Sequence, residues 1–270
     1  MSILIRKINY MIAKIHPIPA FTDNYIWAIL DRDSNKVCVV DPGDPQVVTD
    51  FLNAHSLSLA TIFITHHHPD HTGGLDQLTE QFQPTVYGPE SSGIKGITDF
   101  VAEGSQVELF GKSFTVLEVP GHTLDHIAFY CDSDSHKPIL FCGDTLFAAG
   151  CGRIFEGTPE VMYQSLVKLA NLRSDTIVYC THEYTMANLA FARAAEPSNQ
   201  KLKDRCVQER AKREADQPTL PSNMAIELAT NPFLRCNEAT LRKSAETQLG
   251  SMPKNEVEVF SALRGWKDHF

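Results

Sequence analysis

The chain has 270 residues, with 24 lysines and arginines against 33 aspartates and glutamates, giving a formal net charge of −9. Its content of 43% hydrophobic and 21% charged residues is ordinary for a globular protein and excludes a disordered chain. The acidic balance argues against a nucleic-acid partner, because neutralising phosphates needs a basic face. No stretch approaches the ~20 apolar residues that span a bilayer, so we expect no membrane partner.

The seven cysteines are dispersed and form no C-x-x-C pair. An odd, scattered set within apolar runs is typical of reduced, buried thiols. The N-terminal stretch interrupts its apolar positions with Arg6, Lys7 and Lys14, unlike the apolar region of a signal peptide. We therefore expect a cytoplasmic protein in which residues 1–10 form a loose extension.

Short apolar runs rich in β-branched and aromatic residues predict strands in the first two thirds of the chain. They are Tyr25–Leu30, Lys36–Val40, Thr61–Thr65, Thr85–Tyr87, Ser113–Val119, His126–Cys131, Pro138–Cys142 and Thr176–Cys180. Helical patterns lie between them at Gln46–Ala54, Gly74–Phe82 and Val161–Leu172. Because strands and helices interleave, we predict an α/β fold built on layered sheets.

The pattern changes after His182, where helices are predicted and strands are not. The helices are Tyr184–Ala195, Asn199–Ala215, Glu238–Leu249 and Val257–Lys267. We therefore predict two domains, a catalytic one over residues 1–183 and a smaller helical one over residues 184–270.

The segment T-H-H-H-P-D-H-T-G-G begins at Thr65, directly after a predicted strand. His66 and His68 lie on one side of an extended chain, and the intervening His67 points away from them. Asp70 and His71 follow at the turn before the next helix. Clustered nitrogen and oxygen donors of this kind suit zinc, iron or manganese rather than calcium or magnesium.

Three further candidate ligands, His122, Asp144 and His182, each follow a predicted strand. Strands that end in histidine or aspartate predict ligands lining one edge of a sheet. Together the candidates exceed the four positions of one tetrahedral zinc, which indicates two metals with a shared ligand.

The H-x-H-x-D-H motif and its downstream partners resemble the metallo-β-lactamase superfamily. Further motifs narrow the resemblance to the glyoxalase II, or hydroxyacylglutathione hydrolase, family. These motifs are Asn24-Tyr25, Val40–Asp44, Cys142–Phe147, Gly150–Arg153, Phe155–Thr158, Thr181–Thr185, Asn231–Arg235 and Leu263–Phe270. The resemblance covers nearly the whole chain beyond Met11.

The resemblance implies an αββα sandwich with a helical C-terminal domain and a dinuclear metal site. It implies that His66, His68 and His122 bind one metal, that Asp70, His71 and His182 bind the other, and that Asp144 bridges them. It implies glutathione contacts from Arg153, Tyr184, Arg264 and Lys267. Zinc is the expected metal, although iron and manganese also suit these ligands. A monomer is expected.

The implied reaction is hydrolysis of S-D-lactoylglutathione to glutathione and D-lactate. Our hypothesis is that a hydroxide held by the two metals attacks the thioester carbonyl, with Asp70 and Asp144 as the catalytic aspartates. The glutathione thiolate is a good leaving group, because an ordinary thiol has a pKa of about 8.5.

Two positions depart from the family pattern. Phe155 stands where some members have a tyrosine, so a hydroxyl contact with the substrate is missing. Asp125 stands at a frequent glycine position, where altered backbone geometry is expected.

Asp41 either orients a ligand histidine or simply precedes the turn at Pro42. His126 is predicted to be packed rather than a ligand.

Other functions of the superfamily are the alternatives: a persulfide dioxygenase, a lactonase, a β-lactamase or a nuclease. The helical tail with Arg264 and Lys267 argues against the dioxygenase. The N-terminal sequence argues against a periplasmic β-lactamase, and the acidic charge against a nuclease. A metal-binding protein without catalysis is disfavoured because the set of candidate ligands is complete.

Overall fold

The computed structural model describes residues 14–31, 33–90, 94–133 and 136–270. The extension predicted for residues 1–10 lies outside these ranges. The first of two six-stranded sheets has the order β1-β2-β3-β4-β5-β6, with β1 to β3 antiparallel and β3 to β6 parallel. Its strands are β1 Ile15–Ala20, β2 Asn24–Leu30, β3 Lys36–Val40, β4 Ser58–Phe63, β5 Thr85–Pro89 and β6 Asp99–Val101.

The second sheet has the order β14-β13-β10-β9-β8-β7, in which only the β10–β13 pair is parallel. Its strands are β7 Gln106–Leu109, β8 Lys112–Glu118, β9 Ile127–Cys131, β10 Ile139–Gly143, β13 Ile177–Cys180 and β14 Ser222–Asn223. A small hairpin, β11 Leu146–Phe147 with β12 Gly150–Cys151, projects beside it.

Side-chain alternation along β2 explains how the first sheet is covered on both faces. Trp27 belongs to the core between the sheets, where Phe63 of β4 stacks on Phe129 of β9 at 4.2 Å. Ile26 belongs to a separate apolar cluster that includes Leu52 of the first helix. The sequence therefore builds a helix–sheet–sheet–helix sandwich, as predicted.

The helices cover the outer faces and form the C-terminal part. They are α1 Pro45–His55, α2 Pro69–Thr72, α3 Leu75–Phe82, α4 Pro159–Ala170, α5 Thr185–Ala195, α6 Gln200–Glu214, α7 Met224–Thr230, α8 Ala239–Leu249 and α9 Glu256–Asp268, with a 3-10 turn at Pro232–Leu234. Helix α4 begins where Thr158 accepts a hydrogen bond from the Val161 amide. No helix in the described ranges is long and apolar enough to cross a bilayer.

The prediction that the tail contains no strand is wrong. Ser222 and Asn223 form β14, which pairs antiparallel with Val178 and Ile177 at the edge of the second sheet. A two-residue polar strand leaves no alternating pattern in the sequence, and its place is fixed by the partner strand. The tail is thus joined to the sandwich through the backbone.

Candidate metal centre

The seven predicted ligand side chains meet at one edge of the sandwich, on loops that follow four strands. His66, His68 and the short helix α2 follow β4, whereas His122, Asp144 and His182 follow β8, β10 and β13. The expectation of a single sheet edge is therefore corrected, because β4 belongs to the first sheet and the other three strands to the second. The cluster lies where the two sheets end together.

Close backbone packing holds two of these loops. Gly121, directly before His122, has φ of +147°, and a Cβ there would lie 2.7 Å from the Met162 Cα. A Cβ on Gly43 would lie 1.9 Å from the Asp70 carbonyl oxygen. Glycine is thus required at both positions for the loops that carry His122 and Asp70 to approach their neighbours.

The first trio is formed by His66, His68 and His122. The Nδ1 of His68 lies 3.1 Å from the His66 Nε2 and 3.0 Å from the His122 Nε2. His66 and His122 are buried, and His68 is partly exposed at the rim. Three imidazole nitrogens therefore face a common point.

The second trio is formed by Asp70, His71 and His182, and Asp144 lies between the two trios. Asp70 Oδ2 lies 3.5 Å from His71 Nε2 and 3.4 Å from His182 Nε2. One oxygen of Asp144 lies 3.4 Å from His71 Nε2, and the other lies 3.5 Å from His122 Nε2 and 3.3 Å from His182 Nε2. The carboxylate thus faces donors of both trios.

These donors fit divalent cations. Two ligand atoms on a tetrahedral zinc with bonds near 2.0–2.1 Å are roughly 3.3 Å apart, which is close to the separations within the cluster. His71 Nε2 and Asp144 Oδ1 are buried and have no hydrogen-bond partner. Unpartnered buried polar atoms are costly unless a ligand satisfies them. The cluster is therefore suited to hold divalent metal ions.

Three histidine nitrogens that face away from the cluster each lie near an oxygen. His182 Nδ1 lies 2.7 Å from Asp23 Oδ1, and His122 Nδ1 lies 2.8 Å from the carbonyl oxygen of Arg153. A ligand histidine whose other nitrogen donates to such an acceptor is fixed in tautomer and ring orientation. His71 Nδ1 lies at an ion-pair distance of 3.0 Å from Asp41 Oδ2 but, like His71 Nε2, has no hydrogen-bond partner. Asp41 instead accepts from the amide and the hydroxyl of Thr65, so both interpretations of Asp41 stay predictions.

Burial lowers the pKa of His66, His68 and His122, which favours the neutral imidazoles that metals bind. Burial also acts on His71, but the Asp144 and Asp41 carboxylates outweigh it and raise the pKa of His71 well above its usual value. Burial and neighbouring charges also oppose each other at Asp144. Burial raises the pKa of the Asp144 carboxyl, but His71 and His182 outweigh burial and hold this pKa well below its usual range.

The predicted substrate residues fall into two places. The Tyr184 ring stacks on the His182 ring at 4.7 Å and adjoins the metal cluster. Burial, reinforced by the Asp23 carboxylate, raises the pKa of Tyr184 to about 12. The phenol is therefore neutral at physiological pH and able to donate a hydrogen bond.

The three predicted cationic residues lie near one another beside the cluster, on α9 and on the loop after β12. Arg153 Nε and Arg264 Nη2 lie 3.2 and 3.1 Å from the same oxygen, Oδ1 of Asp268. Lys267 precedes Asp268 on α9, and its ammonium lies 5.4 Å from the centre of the Phe191 ring. This cationic group, Arg153, Arg264 and Lys267, therefore has an excess of positive charge.

Residues outside both groups largely follow the predictions. His126 is buried, and its Nε2 accepts the Asp144 amide hydrogen at 3.0 Å, so it is packed and hydrogen-bonded as predicted. The Phe155 ring lies 5.2 Å from that of His122 and is largely exposed. Asp125 is not among the residues with positive φ, and the expectation about its backbone geometry stays a prediction. Its side chain bonds to Thr123 and His67.

Sequence reasoning gave no site role to three residues, although Asn24 belongs to one of the family motifs. Asp23 lies on the β1–β2 turn and Asn24 begins β2, where Asn24 Nδ2 donates to Asp70 Oδ2 at 3.1 Å. Asp268 joins two of the predicted substrate residues. Its position four residues after Arg264, one helical turn away, is the sequence signal that pairs the two.

Comparison with known proteins shows which families match the chain. Residues 22–182 match the family described as "Metallo-beta-lactamase superfamily", and residues 183–270 match "Hydroxyacylglutathione hydrolase C-terminus". The chain is 49% identical over 258 residues to a hydroxyacylglutathione hydrolase of Pseudomonas paraeruginosa, covering 95% of this chain and 99% of that protein. It is 49% identical to a protein of the same name from Chromohalobacter salexigens, covering 94% and 98% of the two chains.

Among solved structures, ETHE1 from Myxococcus xanthus superposes with a TM-score of 0.63 at 23% identity, covering 95% of this chain and 98% of that one. At this identity the likeness establishes the fold alone. It supports the αββα architecture described above.

Proposed function

Because the chain belongs to the hydroxyacylglutathione hydrolase family within the metallo-β-lactamase superfamily, we propose that it hydrolyses S-D-lactoylglutathione to glutathione and D-lactate. Relatives at 48–49% identity over 95% of the chain carry the hydroxyacylglutathione hydrolase name. The observation that carries the proposal is the convergence of seven histidine and aspartate side chains beside a cationic group. A metal centre next to a site for a small anion suits a glutathione thioester.

The ligand assignment is part of the proposal. His66, His68 and His122 would hold one divalent ion and Asp70, His71 and His182 the other, with the Asp144 carboxylate, which faces donors of both trios, available to either. The distances of 3.0–3.5 Å among their ligand atoms and the unpartnered His71 Nε2 support this division. Zinc is the ion we propose, because imidazole and carboxylate donors suit it.

Two divalent ions bound there supply a nucleophile from water at neutral pH and polarise the thioester carbonyl. The protein holds two of the ligands in place: Asp23 orients His182, and Asn24 fixes Asp70. Asp41 lies at ion-pair distance from a third, His71. Such preorganisation matters because donors that must rearrange during the reaction stabilise the transition state less.

The cationic group and Tyr184 bind the glutathione part. Glutathione carries two carboxylates, which suit the guanidinium groups of Arg153 and Arg264 and the ammonium of Lys267. Tyr184 lies on the metal side of this site, because its ring stacks on that of the proposed ligand His182. The leaving thiolate has an ordinary pKa of about 8.5 and departs without a general acid.

Two wider features belong to the same proposal. We place the domain boundary at residues 183/184, supported by the two family matches, which meet at residues 182 and 183.

All seven cysteines are free, and six of them are buried. Unpaired thiols support a reducing compartment, the cytoplasm.

The test is a hydrolysis assay on purified protein with S-D-lactoylglutathione. Elemental analysis of the same sample gives the metal content per chain. A matched thioester of D-lactate with N-acetylcysteine, which lacks both outer residues of glutathione, is expected to give a much higher KM. Protein with two metals per chain that leaves S-D-lactoylglutathione intact would refute the proposed substrate.

A further inference from the structure

The β11–β12 hairpin touches both parts of the proposed substrate site. The ring of Phe147 on β11 lies 5.4 Å from that of Tyr184, measured between ring centres. The Cys151 carbonyl oxygen on β12 accepts a hydrogen bond from Arg264 Nη1 at 2.9 Å, and Arg153 follows two residues later. The position of this hairpin therefore affects how Tyr184 and the cationic group are arranged.

The sequence at the tip of the hairpin does not favour a tight turn. Two-residue turns between paired strands usually contain Asn-Gly or Asp-Gly, because they need residues with positive φ. Here Ala148 and Ala149 connect the strands, and Ala149 has φ of +56°. A residue with a Cβ adopts this left-handed conformation at a cost, so contacts from outside the hairpin are needed to stabilise the tip.

Two fully buried side chains of the tail bond to the backbone of the tip. Asn231 Nδ2 donates to the Gly150 carbonyl oxygen at 2.8 Å and to that of Phe147 at 3.2 Å. On α7, Glu227 Oε2 accepts the Ala149 amide hydrogen at 2.8 Å. Asn231 and Glu227 are both 0% exposed. Losing a partner of such buried groups is costly, because no water replaces it.

Helix α5 adds a third side chain to this contact. Asn188 Nδ2 donates to the Ala148 carbonyl oxygen at 3.0 Å. A Cβ on Gly150 would lie 2.5 Å from Asn188 Cγ, so the hairpin packs directly on this side chain. Side chains of the tail thus bond to the backbone of every residue from Phe147 to Gly150.

These side chains are themselves held within the tail. Glu227 Oε1 accepts hydrogen bonds from Arg205 Nη2 at 2.6 Å and from the Ser222 hydroxyl. Asn231 Oδ1 accepts the Phe233 amide hydrogen at 3.1 Å, which identifies Nδ2 as the atom that faces the hairpin. The tail therefore presents donors and acceptors in fixed positions, and the hairpin is held against them.

We infer that Asn231 and Asn188 are positioning residues of the substrate site. They act through the hairpin backbone: they hold the tip, and the tip places Phe147 against Tyr184 and keeps β12 beside the cationic group. The inference rests on the proposed function, since its effect is on recognition of the glutathione part. The motif Asn231–Arg235, which contributes neither a proposed metal ligand nor a residue of the cationic group, thereby has a role in the site.

The experiment compares kcat/KM for S-D-lactoylglutathione with kcat/KM for the D-lactate thioester of N-acetylcysteine and takes the ratio. A smaller fraction of folded or metal-loaded protein lowers both values alike and leaves the ratio unchanged. Asn231→Ala is expected to lower the ratio by ~10-fold, the effect of losing a buried hydrogen-bond partner. Asn188→Asp keeps the side-chain size but removes the donor to the Ala148 carbonyl oxygen, and is expected to lower the ratio by a smaller factor.

Asn199→Ala is the matched control. Asn199 also donates from the tail to a backbone carbonyl oxygen, that of Ala229, and its Oδ1 accepts the Leu202 amide hydrogen. Within the part of the chain that the structure describes, it does not bond to the hairpin. This variant is expected to lose stability and to keep the wild-type ratio.

A wild-type ratio in both Asn231→Ala and Asn188→Asp would overturn the inference. An equal fall in Asn199→Ala would also overturn it, because general loosening of the tail would then be the cause. If Asn231→Ala yields no folded protein, Asn188→Asp decides the outcome alone. Wild type that leaves S-D-lactoylglutathione intact would overturn the proposed function and, with it, the inference, whereas the other results overturn the inference alone.

Discussion

His182 Nδ1 lies 2.7 Å from Asp23 Oδ1, although the two residues are 159 positions apart in the sequence. Asp23 belongs to the turn between the first two strands, and His182 follows the last long strand of the second sheet. The backbone reinforces this contact, because the Glu183 amide donates to the Asp23 carbonyl oxygen at 2.8 Å. The first hairpin of one sheet thus orients a predicted ligand on the other.

Asp23→Asn is expected to weaken metal binding by ~10–100-fold, the usual cost of losing an orienting partner of a ligand histidine. The amide that replaces the carboxylate also donates, so it no longer selects the tautomer with a free His182 Nε2. Competition with a chelator, followed by elemental analysis, measures the affinity. Asp216→Asn, an exposed aspartate remote in sequence, serves as the control. Equal metal affinity in Asp23→Asn and wild type would remove Asp23 from this role.

Lys267→Ala is expected to raise KM for S-D-lactoylglutathione by ~10-fold, equivalent to about 1.4 kcal/mol, with kcat little changed. Lys267 would contact a part of the substrate remote from the thioester. Arg264→Ala is expected to act in the same direction, but Arg264 is buried over Phe233, so its loss also removes packing. Steady-state kinetics provide the measurement, and Lys254→Ala, at a side chain 86% exposed, is the control. An unchanged KM in both variants would exclude this helix from substrate binding.

Glu196 provides a prediction for the pH dependence of stability. Burial raises the pKa of its carboxyl, but hydrogen bonds from Arg235, Asn199 and Thr240 outweigh burial and lower it from the ordinary value of 4.5. The folded state therefore binds the proton more weakly than the unfolded state. The stabilisation is present above the unfolded pKa and is lost as the pH falls through the folded pKa.

Glu196→Gln is accordingly expected to lower the free energy of unfolding by roughly 1–3 kcal/mol at neutral pH. The difference from wild type should shrink as the pH falls below about 4.5. Urea unfolding of both metal-free proteins across this range provides the measurement, with the exposed Glu214→Gln as control. A difference that stays constant or grows towards acid pH would contradict the account.

The sequence was sufficient to predict the sandwich and the ligand candidates because both depend on local patterns. Apolar runs such as Ile139–Gly143 form strands buried at every position, and a polar side chain directly after such a run lies at the sheet edge. Strand β1 was missed because its sequence, IHPIPA, contains Pro17 and Pro19. Prolines weaken the strand signal, yet they are tolerated in the edge strand that β1 forms.

Contacts between distant segments were not predictable in the same way. Asp23 and Asp268 are ordinary acidic residues in a turn and at a helix end. Asp23 meets His182, and Asp268 meets Arg153, only once the two sheets and the tail are assembled. The rim contact of His67 with Asp125 is similar: strand alternation predicted that His67 points away from the cluster, but not what it meets. Long-range polar pairing was therefore the part that the sequence left open.

The central claim is that the seven donors hold two metal ions on which thioester hydrolysis depends. The most direct test measures metal per chain and kcat for S-D-lactoylglutathione in wild type and Asp144→Ala, whose carboxylate lies between the trios. We predict two ions per chain in wild type, and loss of both metal and turnover in Asp144→Ala. A variant that loses metal yet hydrolyses the thioester at the wild-type rate would contradict the account.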